Sequence, residues 1–390
     1  MMRTRYLIPI GILFLNCLSP AYAEETELVK EKIRKLEQRL EKLEKEKNTD
    51  TQAPTASRNT VSESSTSTGV SRAFNPAISA NVLALGTYVD QGNADQTRET
   101  RTGMRIQEVE LVFSSWVDTW LKADLVLSIE GTQTVNVEET IAEILVAQNL
   151  SFKAGKFYSS FGKHNRLHTH AFPFIDPPLV NEDIFGEEGL NEIGVGLSYL
   201  LPLPYFSELS FQFLEGSNDV QFNGKLNDDF LYLANLKNLW DLTDDVTLEA
   251  GGSFATGKND VNSRDYDTTY VSGADLTFKW KPGGRERHQT LIWQTEFLTS
   301  SRDQVRAGAY TMVQYQFARS WWIQGRYDFS TIKENVTEEK NRWSTLLAFA
   351  PSEFSAFRLQ YNRLNHFTTD EHQVFLQLNY TFGSHPAHNY

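Results

Sequence analysis

From residue 73 onward the sequence is built from short runs in which apolar and polar residues take turns, and this period of two constrains the fold more than any other feature. The clearest run places Leu121, Ala123, Leu125, Leu127 and Ile129 on one face and Lys122, Asp124, Val126, Ser128 and Glu130 on the other. Alternation alone also suits a soluble sandwich, so segment length and connection pattern have to discriminate. About sixteen runs can be marked, near 77–88, 104–117, 120–130, 135–147, 150–158, 192–201, 205–215, 229–238, 246–256, 269–280, 289–299, 305–317, 321–329, 341–350, 354–364 and 372–382. Most have the roughly 9–11 residues that a tilted strand needs to cross a bilayer, against about 5–6 in an ordinary globular strand. Every second connection is short: Asp118-Thr119, Gln148-Asn149, Pro202-Leu203-Pro204, Ala318-Arg319-Ser320 and Pro351-Ser352-Glu353. Those between are mostly longer and polar, as from Val89 to Gly103, Gly216 to Asp228 and Thr331 to Lys340.

Short connections alternating with long ones are the turn pattern of a bacterial outer-membrane barrel. The expectation is an all-β fold, a transmembrane antiparallel β-barrel of about sixteen strands over residues 73–382, set in outer-membrane lipid. Composition agrees with it. The chain carries 25 Phe, 15 Tyr and 8 Trp, yet only 40% of residues are hydrophobic, too few for a bundle of membrane helices. Rings cluster near strand ends, at Trp116, Trp120, Trp280, Trp321, Trp322, Tyr380 and Phe382, where two interfacial girdles are expected.

The residues before the barrel fall into three zones. Tyr6 to Leu18 is apolar, preceded by Arg3 and Arg5 and followed by Ala21-Tyr22-Ala23, which reads as a secretory signal peptide over residues 1–23. The single cysteine, Cys17, lies within it, so cleavage after Ala23 leaves a chain without disulfides or thiol chemistry. A lipoprotein processed at Cys17 is the alternative, opposed by the bulky Asn16 before it. Residues 24–48 are rich in Glu, Lys, Arg and Leu, with Val29, Ile33, Leu36, Leu40 and Leu43 in steps of four and three, the seam of a short periplasmic coiled coil. With Ile33 and Leu40 at a positions, Lys32 and Arg39 fall at g and Glu37 and Glu44 at e, which supports a parallel oligomer; a lone solvated helix is the other reading. Residues 49–72, rich in Thr, Ser, Ala and Asn, read as a flexible linker. Residues 383–390 form a histidine-containing tail.

The net charge of −13 and the lack of a basic stripe argue against a nucleic-acid partner. An enzyme is not expected either, since no glycine-flanked serine or serine, histidine and acid grouping stands out. Gly283-Gly284, beside Arg285 and Arg287, reads as turn chemistry rather than a phosphate cradle. Energised transport is disfavoured because such receptors have roughly 22 strands and a plug.

The longest connection, Ser159 to Asn191, is the third outer loop by this count, and a loop of that length in a compact fold is usually functional. Leading into it, Lys153-Ala154-Gly155-Lys156-Phe157-Tyr158-Ser159-Ser160-Phe161-Gly162 resembles the strand entering the constriction loop of phosphate-selective porins of the O and P type. The likeness extends loosely over residues 74–382. The resemblance implies a channel narrowed by the third loop, with lysines and a ladder of arginines guiding anions. Strand parity turns Arg306, Arg326 and Arg358 inward, with Lys122 and Lys153 as further candidates for the pore lining. Glu108, Glu110, Asp124, Glu139 and Glu143 share the inward faces, as do Glu208, Glu249, Asp275, Glu296 and Asp328. This excess of acids departs from the pattern of that family.

Histidines give a second signal. His164, His168 and His170 lie in the third loop and His385 and His388 in the tail, a pattern that suggests a zinc or other transition-metal site. Phe74-Asn75-Pro76-Ala77-Ile78-Ser79 and His168-Thr169-His170 also resemble segments of a poorly characterised set of outer-membrane barrel proteins. Two functional classes follow: passive diffusion of small hydrophilic solutes or ions through a homotrimeric porin, or a barrel with little conductance that serves as a structural tether to the cell wall through its coiled coil or as a metal-binding protein.

Overall fold

The computed structural model describes residues 76–91, 102–131, 134–224, 229–259, 268–283, 288–302, 305–333, 337–365 and 370–383. The expected signal peptide, coiled coil and linker, the aromatic Phe74 and the tail histidines His385 and His388 lie outside the described residues.

Sixteen strands follow one another: β1 (Ala77–Gln91), β2 (Gly103–Asp118), β3 (Leu121–Glu130), β4 (Thr134–Ala147), β5 (Leu150–Tyr158), β6 (Asn191–Leu200), β7 (Phe206–Leu214) and β8 (Leu231–Thr243), then β9 (Val246–Lys258), β10 (Thr268–Trp280), β11 (Thr290–Ser301), β12 (Val305–Ala318), β13 (Trp321–Lys333), β14 (Thr337–Ser352), β15 (Ser355–Asn365) and β16 (Asp370–Gly383). Each pairs antiparallel with its neighbour in sequence, and β1 also pairs with β16, so the sheet closes into a barrel. At the seam Ser79 lies opposite Gly383 and Gln91 opposite Glu371. Closure removes the row of unpaired amides and carbonyls that an edge strand would present to hydrocarbon.

The outer face is apolar where the inner face is polar. Val135, Leu145, Ile193, Phe211, Leu359 and Leu376 are exposed on the outside. Gln212, Asn235, Glu296, Gln360, Asn362 and Asn379 alternate with such residues and are buried inside. A water-soluble sandwich buries its apolar face, so this inverted pattern identifies a surface made for lipid. Among the described residues no helix is long and apolar enough to cross a membrane; the crossing elements are strands.

Two expectations change. The connection expected from Thr331 to Lys340 is mostly strand: β13 and β14 continue pairing as Thr331 opposite Glu339 and Lys333 opposite Thr337. Polar residues there extend a hairpin past the apolar belt, where a strand no longer needs apolar side chains and polarity no longer signals a loop. Trp322 does not join an outer girdle. Trp321 and Trp116 are exposed outside, but consecutive strand residues face opposite ways, and Trp322 is buried inside the barrel.

Candidate functional site

Beyond Tyr158 the chain folds into the lumen. A neck closes behind it: the Ser159 N–H donates to the Leu190 carbonyl (2.9 Å). The Asn165 side chain donates to the Ser159 and Leu190 carbonyls (3.0 and 3.2 Å) and accepts the Leu190 N–H (2.7 Å). Between these points lie two 3-10 turns, His164–Arg166 and Thr169–Ala171, and helix α1 (Leu179–Phe185). Phe161, Phe174, Val180, Ile184 and Phe185 are fully or almost fully buried and pack with wall residues such as Leu298 and Tyr310. This gives residues 159–190 an apolar core of their own inside a polar cylinder.

Around that core the segment bonds to inward side chains all round the wall. Gly162, at φ +57°, donates its N–H to Ser253 Oγ (2.8 Å). The Lys163 and His164 N–H groups donate to the Glu296 carboxylate (3.1 and 3.2 Å), and Lys163 Nζ pairs with Glu249 (2.6 Å). Arg166 reaches Asn235 on β8, Arg306 on β12 donates to the Asp183 carbonyl (2.6 Å), and Asn379 on β16 donates to the His170 carbonyl (3.1 Å). On the side of the short turns the segment roofs a chamber of about 550 Å³, lined by residues that include Lys163, Phe172, Lys279, Trp322 and Arg358.

One contact centre is basic. Asp176 receives bonds from Arg326 (2.8 Å), Arg342 (2.9 Å), Gln360 (2.7 Å) and Asn362 (2.7 Å), while Asp328 binds Arg326 (2.8 Å) and Arg342 (3.2 Å) from the wall. Burial alone would raise the Asp176 carboxyl, but Arg342 and Arg326 bring it down to about 2. Arg358 donates to the Phe172 carbonyl (2.8 Å) and to Gln377 (3.1 Å). His164 lies near these arginines against the Phe172 ring (4.4 Å between centroids), and burial, aided by Arg326 and Arg342, pushes its imidazole down to about 3.

The other centre is acidic. In β4, Val126 of β3 faces Glu139 and Leu127 faces Val137, so Glu138 is an extra, bulged residue, and both Glu138 and Glu139 point inward. A bulge in β2 at Gln107 does the same beside Glu108, whose side chain is buried with that of Glu110. Into this cluster the segment places His168 and His170: His168 Nε2 meets Glu139 (3.1 Å), its Nδ1 approaches Glu110 (3.2 Å) and Glu138 (3.3 Å), and His170 Nδ1 meets Glu110 (3.1 Å). Burial works against a charge on His168, but these three carboxylates hold its imidazole well above its ordinary value.

Of the residues read from the sequence, Glu108, Glu110, Glu139, Arg306, Arg326, Arg358, His164, His168 and His170 thus meet at the inserted segment. Others stand apart from it. Lys122 pairs with Asp124 (2.8 Å), Lys153 lies over the Phe157 ring (3.8 Å), and Glu143 is exposed, opposite Lys153 in the register. Arg342, Asp176 and Glu138 were not singled out. Parity with Ser344 on β14 carries the signal for Arg342, whereas the bulge that turns Glu138 inward has no sequence signature.

No family model matches the chain. An uncharacterized protein of Aquifex aeolicus is 28% identical over 340 residues, 74% of this chain and 70% of that one. Among solved structures, the anion-selective porin from Comamonas acidovorans matches with a TM-score of 0.57 at 12% identity, over 79% of this chain and 99% of that one. The outer membrane channel DcaP of Acinetobacter baumannii matches with a TM-score of 0.53 at 14% identity, over 79% and 97%. The barrel has the fold of outer-membrane porins.

Proposed function

We propose that this chain is an outer-membrane channel of the porin kind, through which small hydrophilic solutes or ions diffuse passively, with residues 159–190 as its constriction. The observation that carries the reading is the polar-walled cylinder crossed by a segment bonded to wall residues as far apart as Glu110 on β2 and Glu296 on β11. A lipid-facing exterior requires a membrane, and a wet, charged interior serves solutes rather than packing. The likeness to porin structures supports the same use of the fold.

No reaction is needed. The width left beside the segment and the field of inward charges set the barrier. Arg326, Arg342 and Arg358 are engaged by Asp176, Asp328 and the Phe172 carbonyl, so they neutralise and hold the segment rather than form an open row of anion contacts. With Glu108, Glu110 and Glu138 buried and Glu139 partly buried on β2 and β4, the path favours cations over phosphate-like anions. We further propose that the channel assembles as a homotrimer.

Planar-bilayer recording of the purified chain tests this. Stepwise current with a reversal potential on the cation side of zero in a salt gradient is expected. Absence of any current, in the intact chain and in a variant lacking residues 163–185, would instead favour the non-conducting tether. Current with strong anion preference would overturn the reading of the charges.

A further inference from the structure

We propose that Glu110, Glu138 and His168 bind one divalent transition-metal ion of the Zn²⁺ class between the inserted segment and the barrel wall, leaving a fourth position for water. Donor atoms of Glu110, Glu138 and His168 lie within 4.8 Å of one another. The closest separations are 3.2 Å from His168 Nδ1 to Glu110 and 3.3 Å from the same atom to Glu138, while His170 Nδ1 pairs with the Glu110 carboxylate (3.1 Å) and orients it. Ligands about 2.0–2.1 Å from a tetrahedral zinc stand about 3.3–3.4 Å apart, and both His168 distances match that spacing.

Unsatisfied atoms mark the same place. His168 Nδ1 has no aligned hydrogen-bond partner despite its two close carboxylates, and the buried Glu138 Oε2 and Glu108 Oε1 have none. Burying Glu108, Glu110 and Glu138 together calls for positive charge beside them, and a metal ion would take the place of the His168 proton in supplying it. An imidazole lone pair and carboxylate oxygens directed to one point are suited to such an ion, and the presence of a nitrogen donor favours zinc-like metals over calcium or magnesium.

The surrounding bonds are those that orient metal ligands. His168 turns Nε2 to the Glu139 carboxylate (3.1 Å), which fixes the ring and leaves Nδ1 as the donor facing Glu110 and Glu138. The Tyr158 hydroxyl donates to Glu138 Oε1 (2.7 Å) and its N–H donates to Glu139 (2.9 Å). β4 therefore presents its bulged Glu138, and β2 its Glu110, to one loop histidine. An ion held there ties β2 and β4 to the segment and stabilises its docked form by mass action. The site differs from the one the histidine pattern suggested: His164 is held away at the arginine centre.

The test is calorimetric titration of the chelator-treated full chain in detergent with zinc chloride, with bound metal counted by elemental analysis after dialysis. One zinc per chain is expected, with affinity at least about tenfold lower in Glu138→Gln and in His168→Ala. A variant with both His385→Ala and His388→Ala should bind as the intact chain does. Folding of each variant is checked by the shift of its electrophoretic band on boiling, and an unfolded substitution is replaced by Glu110→Gln. Zinc binding lost with the tail histidines, or absent from the folded intact chain, overturns the proposal. Because binding is read without current, it stands or falls separately from the channel function.

Discussion

Asp176 is where the segment meets the greatest concentration of fixed positive charge. Its two carboxylate oxygens are shared among Arg326, Arg342, Gln360 and Asn362, and Arg326 also stacks on the Phe174 ring at 4.5 Å. Removing one member of a buried ionic group leaves the others uncompensated, at a cost of about 3–5 kcal/mol. Asp176→Asn is therefore expected to release the α1 side of the segment while the barrel itself survives, seen as proteolytic cleavage within 159–190 that the intact chain resists. Gly162 gives a second handle. Its positive φ and the Glu296 carboxylate lying where a Cβ would be make Gly162→Ala unfavourable by about 1–3 kcal/mol, with the same cleavage as readout. Equal protease resistance in both variants and the parent chain would show that the segment is held by its apolar core alone. At this scale legibility followed parity. Arg326 and Arg358 were readable as inward because strand alternation is regular around them, but their partner Asp176 was not, since loop residues have no period from which a direction can be deduced.

The element that distinguishes this barrel from an empty cylinder is residues 159–190, and its docking should depend on acid. His164 is neutral when docked, with a value of about 3 against the ordinary 6.5, and Asp176 lies at about 2 against 3.8. His164 faces Glu296 through its backbone N–H, the Phe172 and Tyr310 rings, and the charges of Arg326, Arg342 and Asp176. Both groups have depressed values when docked, so the released segment binds more protons, and docking weakens as pH falls from about 6.5 toward 3, with Asp176 adding to the loss below about 4. His168 is protonated in docked and released forms alike below 6.5 and adds no slope there. The expected outcome is more frequent transitions to a larger unitary conductance at pH 4 than at pH 7, and a weaker pH dependence in His164→Leu. Identical single-channel records at the two pH values would sink the idea. The length of this loop was legible from sequence. Its inward course was reached only through the resemblance, because Phe161, Phe174 and Phe185 look the same whether they cover a core or face a partner.

For the whole molecule, the decisive property is closure, which belongs to no single strand. The seam between β1 and β16 carries a full antiparallel register and a side-chain chain in which Asn81 donates to Asn379 (2.8 Å) and to Thr381 (2.7 Å). Sequence alternation forecast sixteen strands and an even count, and an even antiparallel sheet can close with its ends adjacent, but nothing in the residues of β1 names β16 as its partner. If closure is the source of stability, deleting residues 370–390 leaves β1 and β15 with open edges in hydrocarbon, and no folded, heat-modifiable band should form in detergent. Deleting residues 1–72 and supplying a fresh export signal should leave that band intact, since the pairing of β1 with its neighbours begins at Ala77 and Ser79. The same shortened chain separates the two roles expected of residues 24–48, assembly and tethering. Retained conductance with fewer subunits per particle, measured by native mass, would mean that residues 24–48 assemble the oligomer; an unchanged particle would leave them the tether alone. Loss of the folded barrel on removing residues 1–72 would instead show that closure depends on chain outside the strands, and the account of the seam as self-sufficient would have to be abandoned.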